Sequence, residues 1–145
     1  MSDLSLKVNR TISAPIDDVF DAWLDASMLA KFMLPKQGMD DPSVENDPRV
    51  GGKFTINMKV GDNEIPHTGE YLEMKKPNRL AFSWVSPASR DDSVVTILFT
   101  QLDERTTKVE LSHVKFIDEE RRDDHEGGWA HILKTLDAVV LASAR

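Results

Sequence analysis

The imidazole is the side chain best suited to proton transfer near neutral pH, and His113 is the histidine of this chain with the clearest setting. It alternates with Leu111 and other apolar residues, so we expect it on the inner face of a strand. From there it could protonate a bound molecule or act as a general base, with Glu45, Glu70 or Tyr71 as polar partners. The alternative is a core histidine whose ring is satisfied by hydrogen bonds.

The other histidines and the acidic residues offer weaker candidates. We expect His67, near the start of a strand, and His131, off the apolar face of a helix, to be solvated. The run from Asp123 to Glu126 holds oxygen and nitrogen ligands, but consecutive residues at a helix start point in different directions, and acidic residues are expected there from the helix dipole. The chain has no cysteine and no nucleophile elbow, phosphate loop or dinucleotide fingerprint. We therefore assign no catalytic residue and expect neither a metal nor a cofactor.

A long helix near the end of the chain must position these groups. The segment from Gly127 to Val140 carries apolar residues at spacings of three and four, which is typical of one buried helical face. Gly127 and Gly128 are predicted to lie where the helix begins to cross a sheet, after the charged run IDEERRDDHE. The residues of the stripe are Trp129, Ile132, Leu133, Leu136, Val139 and Val140.

The sequence before this helix reads mainly as strands. Alternation predicts an opening strand over residues 4–12, interrupted at Arg10, and Pro15 then begins a short helix with Ser13 as its cap. A second short helix is predicted from Ser27 to Met33, before Pro35. Further strands are predicted at about residues 54–58, 65–74, 80–84, 94–100 and 106–116, joined by turn residues as in an antiparallel meander.

Two polar connections interrupt this pattern. The segment from Pro35 to Pro48 is predicted to be a loop with a brief strand at Val44 and Glu45. The segment from Ser86 to Asp92 is a second loop. From their polarity and position we hypothesise that both gate access to the interior.

Composition limits the classes of function. A length of 145 residues predicts one domain over residues 1–145, and a net charge of -7 with scattered basic residues argues against nucleic acid as a partner. No segment has the length of a signal peptide or of a membrane span, so we expect no membrane insertion and a cytoplasmic location.

In their order and spacing, four segments resemble the family of homologues of the activator of the heat-shock chaperone ATPase, within the START-like superfamily related to the birch-pollen allergen (SRPBCC). The segments are RTISAPIDDVFDAWLD, DPRVGGKF, GEYLEMKKPNRLAFSW and EGGWAHILKTLDAVV. The resemblance implies an α+β helix-grip fold, in which a curved antiparallel sheet of about six strands wraps around a long C-terminal helix, with two short helices after the first strand. It also implies a cavity for an apolar molecule between sheet and helix.

Inward-facing aromatic, aliphatic and sulfur-containing side chains are the candidates for the wall of such a cavity, since they suit loose recognition of an apolar ligand. The alternative is that they fill the core. Trp129 has two interpretations of its own, as the cavity mouth with its indole N–H as a polar contact, or as an anchor of the helix. The candidates are Phe20, Trp23, Phe32, Phe54, Met58, Phe82, Trp84, Phe99, His113, Trp129, Leu133 and Leu136.

Three functions are therefore predicted. The first is binding of a hydrophobic small molecule, such as a lipid, a sterol or a polyketide-like compound. The second, implied by the resemblance, is a co-chaperone-type interaction with a heat-shock chaperone ATPase. The third, implied by other members of the superfamily, is an enzyme of the cyclase or dehydratase kind.

Overall fold

The computed structural model describes residues 5–34, 40–85, 89–116 and 118–143. These residues form one sheet and three helices, in the order β1, α1, α2, β2 to β7, α3. The strands β1 to β7 span Ser5–Ile12, Ser43–Asn46, Lys53–Val60, Asn63–Lys75, Arg79–Ser83, Ser89–Asp103 and Thr106–Phe116. The helices α1, α2 and α3 span Ile16–Ala22, Ala26–Phe32 and Glu119–Ser143.

The sheet has the order β1-β7-β6-β5-β4-β3-β2, and every neighbouring pair is antiparallel. It curves around α3, which packs mainly against β1 and α2. This architecture confirms the predicted α+β helix-grip fold. The described part of the chain has seven strands where about six were predicted, and β2 is the brief strand predicted at Val44 and Glu45.

The apolar stripe of α3 is buried as predicted: Trp129, Ile132, Leu133, Leu136 and Val140 belong to the core. The start of the helix was predicted wrongly. The helix begins at Glu119, so the charged run lies in its first turns. Those residues carry no apolar stripe, but acidic side chains in the first turn complement the dipole and let a solvated helical segment extend the buried one.

A partly exposed ion pair with α3 explains why Arg10 interrupts the alternation of β1. Its guanidinium lies 3.4 Å from a carboxylate oxygen of Asp137 on α3, and the same carboxylate accepts the backbone N–H of Ser13 at 2.8 Å. Ser13 therefore does not cap α1, contrary to the prediction, and Pro15 occupies the N-cap position without a side-chain hydrogen bond. The pair ties the first strand to the closing helix.

An irregularity near the end of β7 sends Phe116 to the inner face. Strict alternation would place Lys115 there, after Leu111 and His113. Lys115 instead has a positive φ of 70°, and the pairing of β6 with β7 shifts register beside it. A non-glycine residue with a positive φ costs about 1 kcal/mol or more in conformational energy. The register shift brings the rings of Phe116 and His113 into contact, with centroids 4.3 Å apart.

Several helix and strand boundaries differ from the predicted ones. α2 begins at Ala26, with Asp25 as its cap accepting the N–H groups of Ser27 and Met28. The predicted loop from Ser86 to Asp92 is only partly a loop, because β6 begins at Ser89. Residue 4, residues 35–39 of the first predicted loop and residues 86–88 of the second lie outside the described residues.

Two glycines of the described chain have opposite environments. A Cβ at Gly69 would collide with the ring of Phe54 on β3 and the carbonyl of Ser83, since Phe54 is directly opposite Gly69. A Cβ at Gly127, on the exposed side of α3, would meet nothing within 4 Å. No atom of another described element therefore approaches Gly127 closely.

We expect Gly127→Ala to raise the free energy of unfolding by about 1 kcal/mol, because alanine is the better helix former and no contact opposes it. Gly69→Ala should lower it by about 1–3 kcal/mol, because Phe54 and β5 must shift. Urea denaturation of both variants checks this pair. A neutral Gly69→Ala variant would contradict the close packing of Phe54 on β4.

Candidate functional site

A cavity lies between α2 and the half of the sheet formed by β3, β4 and β5. Leu29 of α2 and the following Met33 cover it, and Trp23, at the end of α1, closes one side. The sheet contributes aromatic and aliphatic side chains that point to the concave face. The lining residues are Trp23, Leu29, Met33, Phe54, Ile56, Tyr71, Phe82 and Trp84.

The free space in this cavity is small. The region enclosed by the lining, together with its opening to solvent, measures about 240 Å³, and the part in which a water-sized body fits is about 10 Å³. One water molecule needs roughly 10–15 Å³ on this measure, and sites for drug-sized ligands measure roughly 300–1,000 Å³. The apolar space is therefore nearly filled by its lining, and a compact molecule fits there only after side chains move.

The sheet side of the cavity is a rigid aromatic cluster. The ring centroid of Phe54 lies 5.3 Å from that of Phe82 and 5.4 Å from that of Tyr71. Trp84 extends the cluster, 6.1 Å from Phe54 and 5.1 Å from Trp129 of α3. Edge-to-face and tilted contacts of this kind hold each ring in one orientation. Movement of the wall therefore depends on the α2 side.

The helix α2 is held over the cavity at both ends by side chains from other elements. Asn46 of β2 donates to the carbonyl of Leu24 at 2.7 Å, before the helix. His131 of α3 bonds the carbonyl of Leu34 through Nδ1 at 2.8 Å, after it. His131 is half-buried, so its predicted solvation is wrong. Between these two fixed points Leu29 and Met33 are unbranched at Cβ, and such side chains adapt to irregular space.

His113 is buried away from this cavity lining, in a directional chain of hydrogen bonds. The indole Nε1–H of Trp129 donates to its Nδ1 at 3.0 Å. Its Nε2 lies 2.7 Å from the hydroxyl of Ser93, which donates its own hydrogen to the carbonyl of Val114. An indole nitrogen only donates and the serine hydrogen is used, so Nδ1 is the acceptor and Nε2 carries the proton.

This series of hydrogen bonds holds His113 in its neutral form. Burial, and then the positive charge that His125 can carry, lower its pKa to about 3. A second proton would have to sit on Nδ1 and would remove the bond to Trp129. The inner-face position predicted for His113 is confirmed, and its ring is hydrogen-bonded at both nitrogens, which leaves no free lone pair for a general base.

The imidazoles of His67 and His125 lie in the same region as His113. His67 is only 9% exposed and stacks against Trp84 with centroids 5.2 Å apart, so its predicted solvation is wrong. Nδ1–H of His125 donates to the carbonyl of Arg121, and its ring lies 5.7 Å from that of His113. Burial is the main cause that lowers the pKa of both His67 and His125.

All of the predicted lining residues are buried. Trp23, Phe54, Phe82 and Trp84 line the cavity. Phe20 packs edge-to-face on Phe99, with centroids 5.2 Å apart, outside it. The members that the structure describes in the core away from the cavity lining are Phe20, Phe32, Met58, Phe99, His113, Trp129, Leu133 and Leu136.

The lining also contains three residues outside the predicted list, Leu29, Met33 and Ile56, and it contains Tyr71, which was predicted as a polar partner of His113. Met33 and Ile56 were recognisable as inward-facing by spacing. Tyr71 shares the inner face of β4 with Gly69, and this signal lies in the alternation of that strand. Periodicity identifies the face of an element, but not which part of that face is loosely packed.

The polar groups proposed for an enzyme do not converge. Glu45 is exposed on β2, and Glu70 is half-buried on β4. Tyr71 lines the cavity, whereas His113 does not. Within the described ranges, no group of three or more His, Cys, Asp or Glu side chains is placed to hold a metal ion. None of the described helices is both long and apolar enough to span a membrane.

Comparison with known proteins gives a family and several similar structures. The profile of the family described as "Activator of Hsp90 ATPase homolog 1-like protein" matches residues 13–140. The crystal structure of protein CV1439 from Chromobacterium violaceum is 26% identical, with 94% of this chain and 96% of that chain covered and a TM-score of 0.80. Protein NE0264 from Nitrosomonas europaea is 20% identical, with 97% and 96% covered and a TM-score of 0.77.

CalU16 from Micromonospora echinospora is 24% identical, with 98% of this chain and 79% of that chain covered and a TM-score of 0.71. At 20% and 24% identity, the second and third of these structures establish the fold alone. A comparison with curated proteins gave no match.

The depressed pKa of His113 makes stability depend on pH in a known direction. The unfolded chain binds a proton near pH 6.5, and the folded chain does so only near pH 3, so stability falls as the pH drops between these values. From pH 7.5 to pH 5.0 the contribution of His113 should be a loss of about 2 kcal/mol, which urea unfolding at the two values measures. His67 and His125 add losses of the same sign.

The matched variant is His113→Gln, whose amide can still bond Ser93 but does not titrate. The difference between its stabilities at the two pH values should be smaller than that of the natural chain by about 2 kcal/mol, whatever its absolute stability. If the variant does not fold, nitrogen NMR of the natural chain at pH 5 decides, because the Nε2–H form of His113 should persist. A protonated ring at pH 5 would contradict the hydrogen-bond chain.

Proposed function

The chain belongs to the family of Activator of Hsp90 ATPase homolog 1-like proteins, and we propose that it binds a compact hydrophobic small molecule between α2 and strands β3 to β5. The observation that carries this proposal is the lining of the cavity, in which every residue is aromatic, aliphatic or methionine. Transfer of an apolar molecule into such a space gains about 25 cal/mol per Å² of surface removed from water.

The size of the space favours a small ligand over the larger members of the predicted class. A region of about 240 Å³ that includes the opening to solvent is too small for a sterol or a long acyl chain without separation of α2 from the sheet. A bicyclic hydrocarbon is smaller, and we expect rotamer changes of Leu29 and Met33 to admit it. The ends of α2, bonded to Asn46 and His131, can then remain in place.

The other two functions have less support in the described residues. An enzyme of the cyclase or dehydratase kind would need a titrating group at the ligand. The candidate His113 is neutral, bonded at both nitrogens and not itself among the lining residues, although its ring contacts the lining residue Trp84. A co-chaperone interaction is named by the family description. The exposed large apolar residues are Val50, Leu72, Val85, Leu98 and Leu102, spread over separate loops and strands, and scattered apolar residues are normal on a surface.

A proton–nitrogen NMR titration with tetralin, a bicyclic hydrocarbon, tests the proposal. We expect shifts on Trp23, Tyr71, Phe82 and Trp84. Leu29→Trp should weaken binding at least tenfold, because the indole occupies the cavity. Lys31→Trp adds the same side chain to an exposed position of the same helix and should leave the affinity unchanged.

Shifts centred on Leu133 and Leu136 instead would move the site to the α3 side of the core and contradict this location. The absence of any saturable shift up to the solubility of tetralin would refute binding in the cavity. A folded spectrum of Leu29→Trp is required before its affinity is interpreted, and the shift pattern of the natural chain decides if that variant unfolds.

A further inference from the structure

The indole N–H of Trp23 is a buried donor without an acceptor. The side chain is 2% exposed, and Nε1 has no hydrogen-bond partner among the residues that the structure describes. Such a donor has lost its water without replacement, which is unfavourable and uncommon in folded proteins. Trp23 is also one of the cavity-lining residues, so its unused donor is carried by a side chain of the candidate site.

The position of this indole is fixed by its neighbours. Trp23 packs edge-to-face on Phe32 with centroids 5.0 Å apart, and its ring lies 6.5 Å from that of Trp129. Its backbone N–H caps α1 by bonding to the carbonyl of Phe20. A ring held in this way cannot easily turn toward solvent to satisfy its N–H. An acceptor that enters the cavity beside this ring would satisfy the N–H.

The hydroxyl of Tyr71 is a second donor with an unused hydrogen. Asn46 donates one amide hydrogen to the carbonyl of Leu24 at 2.7 Å and the other to the oxygen of Tyr71 at 3.1 Å. Tyr71 therefore acts as acceptor in the hydrogen bond that it makes, and its own hydrogen remains available. Burial, the largest cause, raises its pKa, so the hydroxyl keeps that hydrogen. Tyr71 also lines the cavity.

We infer that the cavity selects compact apolar molecules that carry a carbonyl oxygen, such as bicyclic aryl ketones, which accept hydrogen bonds from Trp23 and Tyr71. This inference rests on the proposed function and adds the chemical class of its ligand. A carbonyl oxygen has two lone pairs and no hydrogen, so it matches a wall that offers donors. A hydrocarbon of the same shape leaves both donors unsatisfied. An aromatic amine, whose nitrogen lone pair is delocalised into the ring and accepts poorly, adds a further hydrogen where none is accepted.

The experiment compares three probes of nearly equal shape: 1-tetralone with an acceptor oxygen, tetralin with no polar group, and 1,2,3,4-tetrahydroquinoline with an N–H donor. We expect 1-tetralone to bind roughly tenfold more tightly than tetralin, the effect of about one net hydrogen bond. Tetrahydroquinoline should bind no better than tetralin. Affinities come from proton–nitrogen NMR titrations of the natural chain.

The three indole N–H signals of the chain give a direct reading of the contact, since it has 3 tryptophans. The Trp23 indole proton should move downfield with 1-tetralone and much less with tetralin. Trp129 is the internal control, because its N–H is already bonded to His113. Trp23→Phe and Tyr71→Phe remove one donor each and keep an aromatic ring. Each should reduce the preference for 1-tetralone over tetralin, measured as the ratio of the two affinities for the same variant.

The outcomes separate the two proposals. Equal affinities for 1-tetralone and tetralin, with shifts in the cavity, would overturn the carbonyl inference and leave hydrophobic binding intact. No binding of any probe would overturn both. A preference for 1-tetralone that survives both substitutions would place the acceptor elsewhere and also overturn the inference. If Trp23→Phe does not fold, Tyr71→Phe and the indole signal of the natural chain still decide.

Discussion

The hydrogen bond from Trp129 to His113 is the constraint on which the rest of the structure depends. An indole can only donate, so this bond determines which imidazole nitrogen holds the proton and which direction the chain through Ser93 to Val114 takes. Each atom in this series of hydrogen bonds has a fixed role as donor or acceptor. A shift of α3 along β7 would therefore leave several buried polar atoms unpaired. The helix therefore has one register on the sheet, specified by directional bonds as well as by apolar contact.

That register divides the interior into two parts with different properties. On the α3 side, Leu133 and Leu136 are fully buried against β1 and its neighbours, and the Arg10–Asp137 pair closes the edge. On the α2 side, a short helix covers strands β3 to β5 and is held at its two ends. Close packing in the first part makes it costly to deform. The cavity lies in the second part.

The sequence was sufficient for the fold because alternation and helical spacing identify faces. Phe54, Phe82 and Leu133 were placed inside by spacing alone, and all are buried. The start of α3 could not be read in this way, because residues from Glu119 to Glu126 are solvated and carry no stripe. His67 was misplaced because the polar neighbours of β4 obscure its inner face. The position of the cavity under α2 was not predictable, since packing density depends on which rings of distant strands meet.

Specificity for a ligand can reside in polar atoms that the fold does not already use. A polar atom that the fold already uses cannot recognise a ligand without the loss of a structural bond. His113, Ser93 and the N–H of Trp129 are used in this way, and so is the amide of Asn46. The indole of Trp23 and the hydrogen of Tyr71 are not used by the described residues, and both lie at the cavity. His113, the most prominent candidate in the sequence, holds the fold together, and the unused hydrogen-bonding capacity lies on two aromatic residues, Trp23 and Tyr71.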